Sequence, residues 1–169
     1  QEAPTSKSVR FKWREHVTKT VSENGEALEK FCNALKDGNS EVVEQSLNNY
    51  LKRTISIRDT FVKKQMKENF YHGILLGILG FQQNWSVSSN KESGDGYSDI
   101  LIETEDQETG IIIEIKYAET GNLEAVSEEA LKQIEDRRYE EQLLEEGVEH
   151  ILKYGIAFYK KKCKVMAVK

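Results

Sequence analysis

The run Ile111-Ile112-Ile113-Glu114-Ile115-Lys116-Tyr117 constrains this chain more than any other segment. Its apolar character predicts a largely buried strand. Residues i and i+2 of a strand share a face, so Glu114 and Lys116 project together while Ile113 and Ile115 enter a core. A carboxylate beside an ammonium in such a strand is costly unless the two are paired or a metal is bound. Upstream, Gly94-Asp95-Gly96-Tyr97-Ser98-Asp99-Ile100 is a glycine-bearing turn ending in an acidic residue on the preceding strand. Asp99 would then be near enough to Glu114 to share a divalent cation. That arrangement suits metal-assisted phosphodiester cleavage. The competing account is a solvated ion pair on one strand face.

A length of 169 residues fits one domain with a helical appendage. No apolar run reaches membrane-spanning length, and Gln1-Glu2-Ala3-Pro4 is not a signal peptide. The absence of an initiating Met points to a fragment of a longer chain. Cys32 and Cys163 have no metal-ligand spacing and require no disulfide, which fits a cytoplasmic protein. The net charge of −5 argues against a nonspecific DNA-coating protein, but local basic patches matter more than the total. Lys63-Lys64 with Lys67, Arg137-Arg138, and Lys160-Lys161-Lys162 with Lys164 are candidate phosphate contacts. For each, a solvated surface is the plainer account.

Residues 1–57 read as a helical annex or linker. Val9, Phe11, Trp13 and Val17 mark a first apolar face; Leu28, Phe31, Cys32 and Leu35 recur at helical spacing before Asp37-Gly38-Asn39. Ser40 starts a further helix with Val43, Leu47, Tyr50 and Leu51 on one side. The pattern changes near residue 58. A long helix is expected over Asp59 to Leu79, with Gly73, Gly77 and Gly80 permitting close packing and then a stop. Strands follow near Trp85–Ser89, Asp99–Glu103 and Ile111–Tyr117, the last two joined by a hairpin turn at Asp106–Gly110. One helix then runs from Leu123 to about Glu146, before strands Ile151–Tyr159 and Lys164–Val168. The order helix, three strands, helix, two strands predicts an α/β sandwich with a mixed central sheet flanked by helices.

Glu68-Asn69-Phe70-Tyr71-His72-Gly73, the stretch Ser89 to Ile100, Ile113-Glu114-Ile115-Lys116, Ala130-Leu131-Lys132-Gln133-Ile134 with Tyr139, and Gly155-Ile156-Ala157-Phe158 follow in this order. In that order they resemble the PD-(D/E)XK nuclease domain at the C-terminus of bacterial AAA-ATPase-like proteins. The resemblance covers about residues 60–169 and implies a restriction-endonuclease-like core over residues 58–169. It implies Asp99 and Glu114 as metal-binding carboxylates, Lys116 as the catalytic lysine, and Glu68 as an accessory acid near the metal. Gln133 would match a polar residue facing the site from the following helix. Ser98 stands where the widest form of the motif has proline. Residues 1–57 would connect to an upstream ATPase domain of the same chain.

Each residue also has a plainer account. Glu68 could pair with Lys64 or His72, four residues away on either side. His72 suits packing better than ligation, because Mg²⁺ prefers oxygen. Gln133 and Arg137 could be ordinary polarity at i,i+4. Tyr97, Trp85 and Tyr139 could stack on bases, with packing the better account for Trp85 and Tyr139. The resulting expectation is a Mg²⁺-dependent nuclease, with Mn²⁺ able to substitute, acting on nucleic acid and on DNA before RNA. Asp99, Glu114 and the Ile115 carbonyl would hold the ion, with Glu68 completing a second position. The alternative is a binding or regulatory module on the same fold that does not cleave.

Overall fold

A computed structural model of the chain describes residues 25–54, 64–92, 96–136 and 139–169. The described elements are α1 (Gly25–Asp37), α2 (Ser40–Thr54), α3 (Lys64–Leu79), β1 (Ser86–Glu92), β2 (Gly96–Glu103), β3 (Thr109–Tyr117), α4 (Leu123–Asp136), α5 (Tyr139–Glu145), β4 (His150–Tyr159) and β5 (Lys162–Val168). The strands form one sheet in the order β1-β2-β3-β4-β5. Only β3 and β4 are parallel; the other neighbours are antiparallel. The chain crosses between β3 and β4 through α4 and α5, as a parallel connection requires.

β3 lies in the middle of the sheet and is covered on both faces. All its residues are buried except the half-buried Lys116. On one face, Ile111, Ile113, Ile115 and Tyr117 join Ile100, Ile102, Tyr154, Ile156 and Phe158 in the main core. Helices α1, α2 and α3 close this core with Phe31, Leu35, Leu47, Leu51, Tyr71 and Leu75. The annex helices therefore share the core of the sheet. On the other face, Leu101 and Ile112 meet Ile134, Leu143 and Val148 in a smaller cluster under α4 and α5. Strand alternation thus assigns Glu114 and Lys116 to the α4 face.

Several sequence expectations change in detail. β3 begins at Thr109, because Asp106 organises the preceding turn. Its Oδ1 accepts from the Thr104 hydroxyl (2.7 Å) and from the backbone N–H of Glu108 (2.9 Å) and Thr109 (3.0 Å). The helix expected from Leu123 to Glu146 is described as α4 and α5 on either side of residues 137–138, which lie outside the described set. Gly73 does not serve close packing: it is exposed, and a Cβ there would meet nothing within 4 Å. Val9, Phe11, Trp13, Val17, Lys63, Arg137 and Arg138 lie outside the described residues, as does the start of the helix expected from Asp59. Trp85 is buried and donates Nε1–H to Glu105 Oε2 (2.5 Å), a packing role. The side chains of Tyr97 and Tyr139 are outside the described set.

Candidate active site

Glu114 is a buried acid without compensation from the described residues. It is 1% exposed, and among the described residues neither carboxylate oxygen has a hydrogen-bond partner. Leaving an ionised carboxylate unpaired in the interior costs several kcal/mol. Buried polar groups are otherwise almost always satisfied, and exceptions concentrate where an ion or a reaction belongs. The ion-pair account of Glu114 and Lys116 does not hold in this structure. Lys116 instead lies 3.6 Å from Glu129 of α4, a residue whose side chain is 66% exposed.

The backbone around Glu114 opens at the same point. β2 pairs with β3 only as far as Asp99↔Glu114. Before Asp99, β2 continues back to Gly96 paired with β1 alone, and that pairing skips Ser98, an extra β2 residue opposite the Asn90–Lys91 step of β1. Bulges bend a strand and raise its twist, and they are frequent beside active sites. Past Glu114, β3 therefore has a free edge toward β2. The Tyr117 N–H points to that edge and donates to Glu68 Oε1 (3.1 Å), whereas the Ala118 N–H donates to Phe158 of β4 (2.8 Å). Backbone groups of alternate strand residues point the same way, so the Ile115 carbonyl also faces the free edge. Glu68 reaches this edge from α3, and the Nζ of the adjacent Lys67 stands 4.5 Å from the Tyr117 ring centroid.

Helix α4 covers the Glu114 face closely because Gly155, opposite Glu114 in register on β4, has no side chain. A Cβ at Gly155 would overlap the Ser127 carbonyl and Leu131. The Ser127 hydroxyl donates to the Gly155 carbonyl (2.7 Å) and pins the helix there. Gln133 is half-buried on the same helix, four residues after Glu129. His72 is buried with Nε2 3.0 Å from the Ser89 hydroxyl, on the α3 side of the sheet.

A protein-family model described as the PD-(D/E)XK nuclease superfamily matches residues 66–168. The chain belongs to this superfamily. No curated protein matches the chain. The match spans α3 through β5, and the mixed five-stranded sheet with flanking helices is consistent with a restriction-endonuclease-like fold. Glu114-Ile115-Lys116 spells the final part of the superfamily's motif, and Asp99 stands directly opposite Glu114 in the β2–β3 register. The Asp99 side chain lies outside the described residues. Among the described residues no three His, Cys, Asp or Glu side chains cluster as metal ligands. The described donors nonetheless fit a divalent cation in kind: an orphaned buried carboxylate and a backbone carbonyl at an open strand edge are the oxygen ligands that hard cations take.

Sequence reasoning missed Glu129 and Ser127. Glu129 stands four residues before Gln133, but nothing in its own surroundings marks it as the partner of Lys116. Ser127 lies on the same buried stripe as Ala130 and Ile134, where a polar residue carries no apolar signal of its own. Only Gly155 hinted at a close helix approach.

Proposed function

We propose that this chain is a metal-dependent nuclease domain that hydrolyses phosphodiester bonds, with DNA as the preferred substrate over RNA. The observation that carries the proposal is the buried Glu114 carboxylate, whose two oxygens have no hydrogen-bond partner among the described residues. It stands one residue from a free backbone carbonyl edge and two from a half-buried lysine. Directly opposed residues in an antiparallel pair hold their Cβ atoms about 5 Å apart. That spacing would let the Asp99 and Glu114 carboxylates share one ion with the Ile115 carbonyl. Glu68, tied to the next N–H along the same edge, is the accessory acid.

Bound there, Mg²⁺ or Mn²⁺ would supply charge to a phosphate oxygen and lower the pKa of a water toward neutrality. Lys116 would orient the attacking water and offset the charge that grows on the phosphoryl oxygens. Its ammonium is half-buried, and its only ion-pair partner among the described residues is an exposed carboxylate, so it can turn toward a substrate at small cost. Gln133 would contribute a polar contact from α4. The two buried, unpaired cysteines fit a reducing cytoplasm. No helix among the described residues is long and apolar enough to cross a membrane. The resemblance to domains that follow an ATPase supports reading residues 1–57 as the connector to such a domain.

The test is incubation of the protein with single- and double-stranded DNA and RNA, in Mg²⁺, Mn²⁺ or EDTA. Metal-dependent cleavage that EDTA stops and that Glu114→Gln abolishes is expected. Absence of cleavage together with failure to bind Mn²⁺ in isothermal titration would leave the non-cleaving module as the better account.

A further inference from the structure

The turn between β4 and β5 is built at a conformational cost, and it presents lysines. Tyr159 and Lys162 are the last paired residues, so Lys160 and Lys161 make a two-residue hairpin loop. Lys160 has φ 52°, a left-handed conformation that glycine, asparagine or aspartate adopts with less strain. Strain of this kind persists where surrounding structure enforces it, and it gathers at functional sites. Here the buried Tyr71 enforces it: its hydroxyl donates to the Lys160 carbonyl (2.6 Å). The Lys160 ammonium lies 5.1 Å from the Tyr159 ring centroid.

This turn stands at the same end of the sheet as the candidate site. β3 and β4 run parallel, with Glu114 level with Gly155 and Lys116 level with Ala157. Lys160 is five residues past Gly155, about 17 Å along the strand direction. Lys67, over Tyr117 on the α3 face, lies between the two levels, beside the β3 edge at the Tyr117 N–H around which a strand must pass to reach Glu114 on the α4 face. Other lysines beside the sheet are closed by acids: Lys36 by Glu105 and Asp106, Lys153 by Glu140, Lys164 by Glu44. Among the described residues, no carboxylate lies within ion-pair distance of Lys67, Lys160, Lys161 or Lys162. In a chain of net charge −5, this end of the sheet therefore carries cations that no acid among the described residues pairs with.

We infer that Lys160, Lys161 and Lys162, with Lys67, form a phosphate track that positions a nucleic-acid strand leading to Glu114. The inference rests on the nuclease reading of that site and adds the residues that hold the substrate. At the rise of about 3.4 Å per nucleotide of a strand within a duplex, 17 Å is about five nucleotides, and an extended single strand spans it in fewer. The turn thus engages phosphates within about five nucleotides of the scissile bond. These lysines are positioning residues; they touch no reacting atom.

The experiment is fluorescence anisotropy with the whole chain in EDTA and a labelled single-stranded DNA of about 20 nucleotides, over a range of salt. The variants are K160A/K161A/K162A and Lys160→Asn. The triple variant should bind at least ~10-fold more weakly. Its plot of log affinity against log salt should flatten by about 2, since each single-strand phosphate contact contributes about 0.7. Lys160→Asn should bind severalfold more weakly while melting at an equal or higher temperature, because asparagine tolerates the left-handed turn. Weaker binding by a better-folded variant cannot come from misfolding. Wild-type affinity and salt slope in the triple variant would overturn the inference, as would lack of DNA binding by the wild type. Omitting metal separates the two readings. Cleavage with unaltered binding in the variants defeats the track alone; lysine-dependent binding without any cleavage in Mg²⁺ or Mn²⁺ defeats the nuclease alone.

Discussion

Replacing Glu114 by glutamine should stabilise the metal-free protein and remove its response to metal. The residue is 1% exposed and both carboxylate oxygens are unpartnered among the described residues, so its charge carries a desolvation penalty of several kcal/mol without compensation from them. An amide of the same shape keeps only the cost of an unsatisfied neutral group, about 1–3 kcal/mol. The difference is about 2 kcal/mol in favour of the variant. For a chain of this length each kcal/mol moves the melting temperature by about 2–4 °C, so Glu114→Gln in EDTA should melt about 4–8 °C above wild type. Metal reverses the order. A ligand at one hundred times its Kd stabilises the form that binds it by about 2.7 kcal/mol, about 5–11 °C on the same scale. Wild type should gain that shift in Mn²⁺ and Glu114→Gln should gain almost none. Differential scanning fluorimetry of both proteins, with and without Mn²⁺, decides. A Glu114→Gln variant that melts below wild type in EDTA, beside a wild type indifferent to Mn²⁺, would refute the reasoning, since Glu114 would then be satisfied by the fold itself.

Lys116→Ala should lose cleavage by ~10²–10³ in rate while retaining the Mn²⁺-induced melting shift, measured by single-turnover assays and melts on one preparation. Gly155→Ala should cost about 3 kcal/mol, about 6–12 °C of melting temperature, because its Cβ would meet the Ser127 backbone carbonyl, which cannot retreat as a side chain can. Asp106 is held well below the usual carboxylate range, first by the Thr104 hydroxyl and next by Lys36. A carboxyl depressed in the folded state contributes stability that is complete above its unfolded value near pH 4 and is lost as pH falls through the folded one. Asp106→Asn should therefore flatten the fall of melting temperature below about pH 4; an unchanged acid limb would contradict that assignment.

The parts of the fold legible in the sequence are those written in periodicity. Ile111 to Tyr117 could be placed as a buried strand, with Ile113 and Ile115 in the core, because every second position is apolar and the strand is central. Phe31, Leu35, Val43, Leu47 and Leu51 likewise declared their helical stripes and are buried. Periodicity says little about what meets across elements. Glu129 and Lys116 are on different elements, and no pattern pairs them. The Glu68 carboxylate reaches the Tyr117 N–H where β2 has left β3 at Asp99, next to the β2 bulge at Ser98. The early start of β3 is a hydrogen-bonding decision made by Asp106, whose side chain supplies the turn acceptors.

The two charges of Glu114-x-Lys116 are held very differently, and the difference bears on how such a site would work. Glu114 faces the α4 side where Gly155 and Ser127 bring the helix down, so its carboxylate is locked into a closed environment. Its position is fixed before any ion arrives, and an ion bound there would meet little reorganisation cost. Lys116, two residues nearer the strand end, is tethered by a 3.6 Å contact to a carboxylate that is 66% exposed. Pairs of that kind contribute about 0–1 kcal/mol. Its ammonium can therefore leave Glu129 for a phosphate oxygen at a cost below that of one ordinary hydrogen bond. The same weakness makes Lys116→Ala a clean probe: it should lower the melting temperature by no more than about 4 °C. A larger loss would mean that Lys116 neutralises Glu114 through the protein interior, and the catalytic role assigned to it would lose its support.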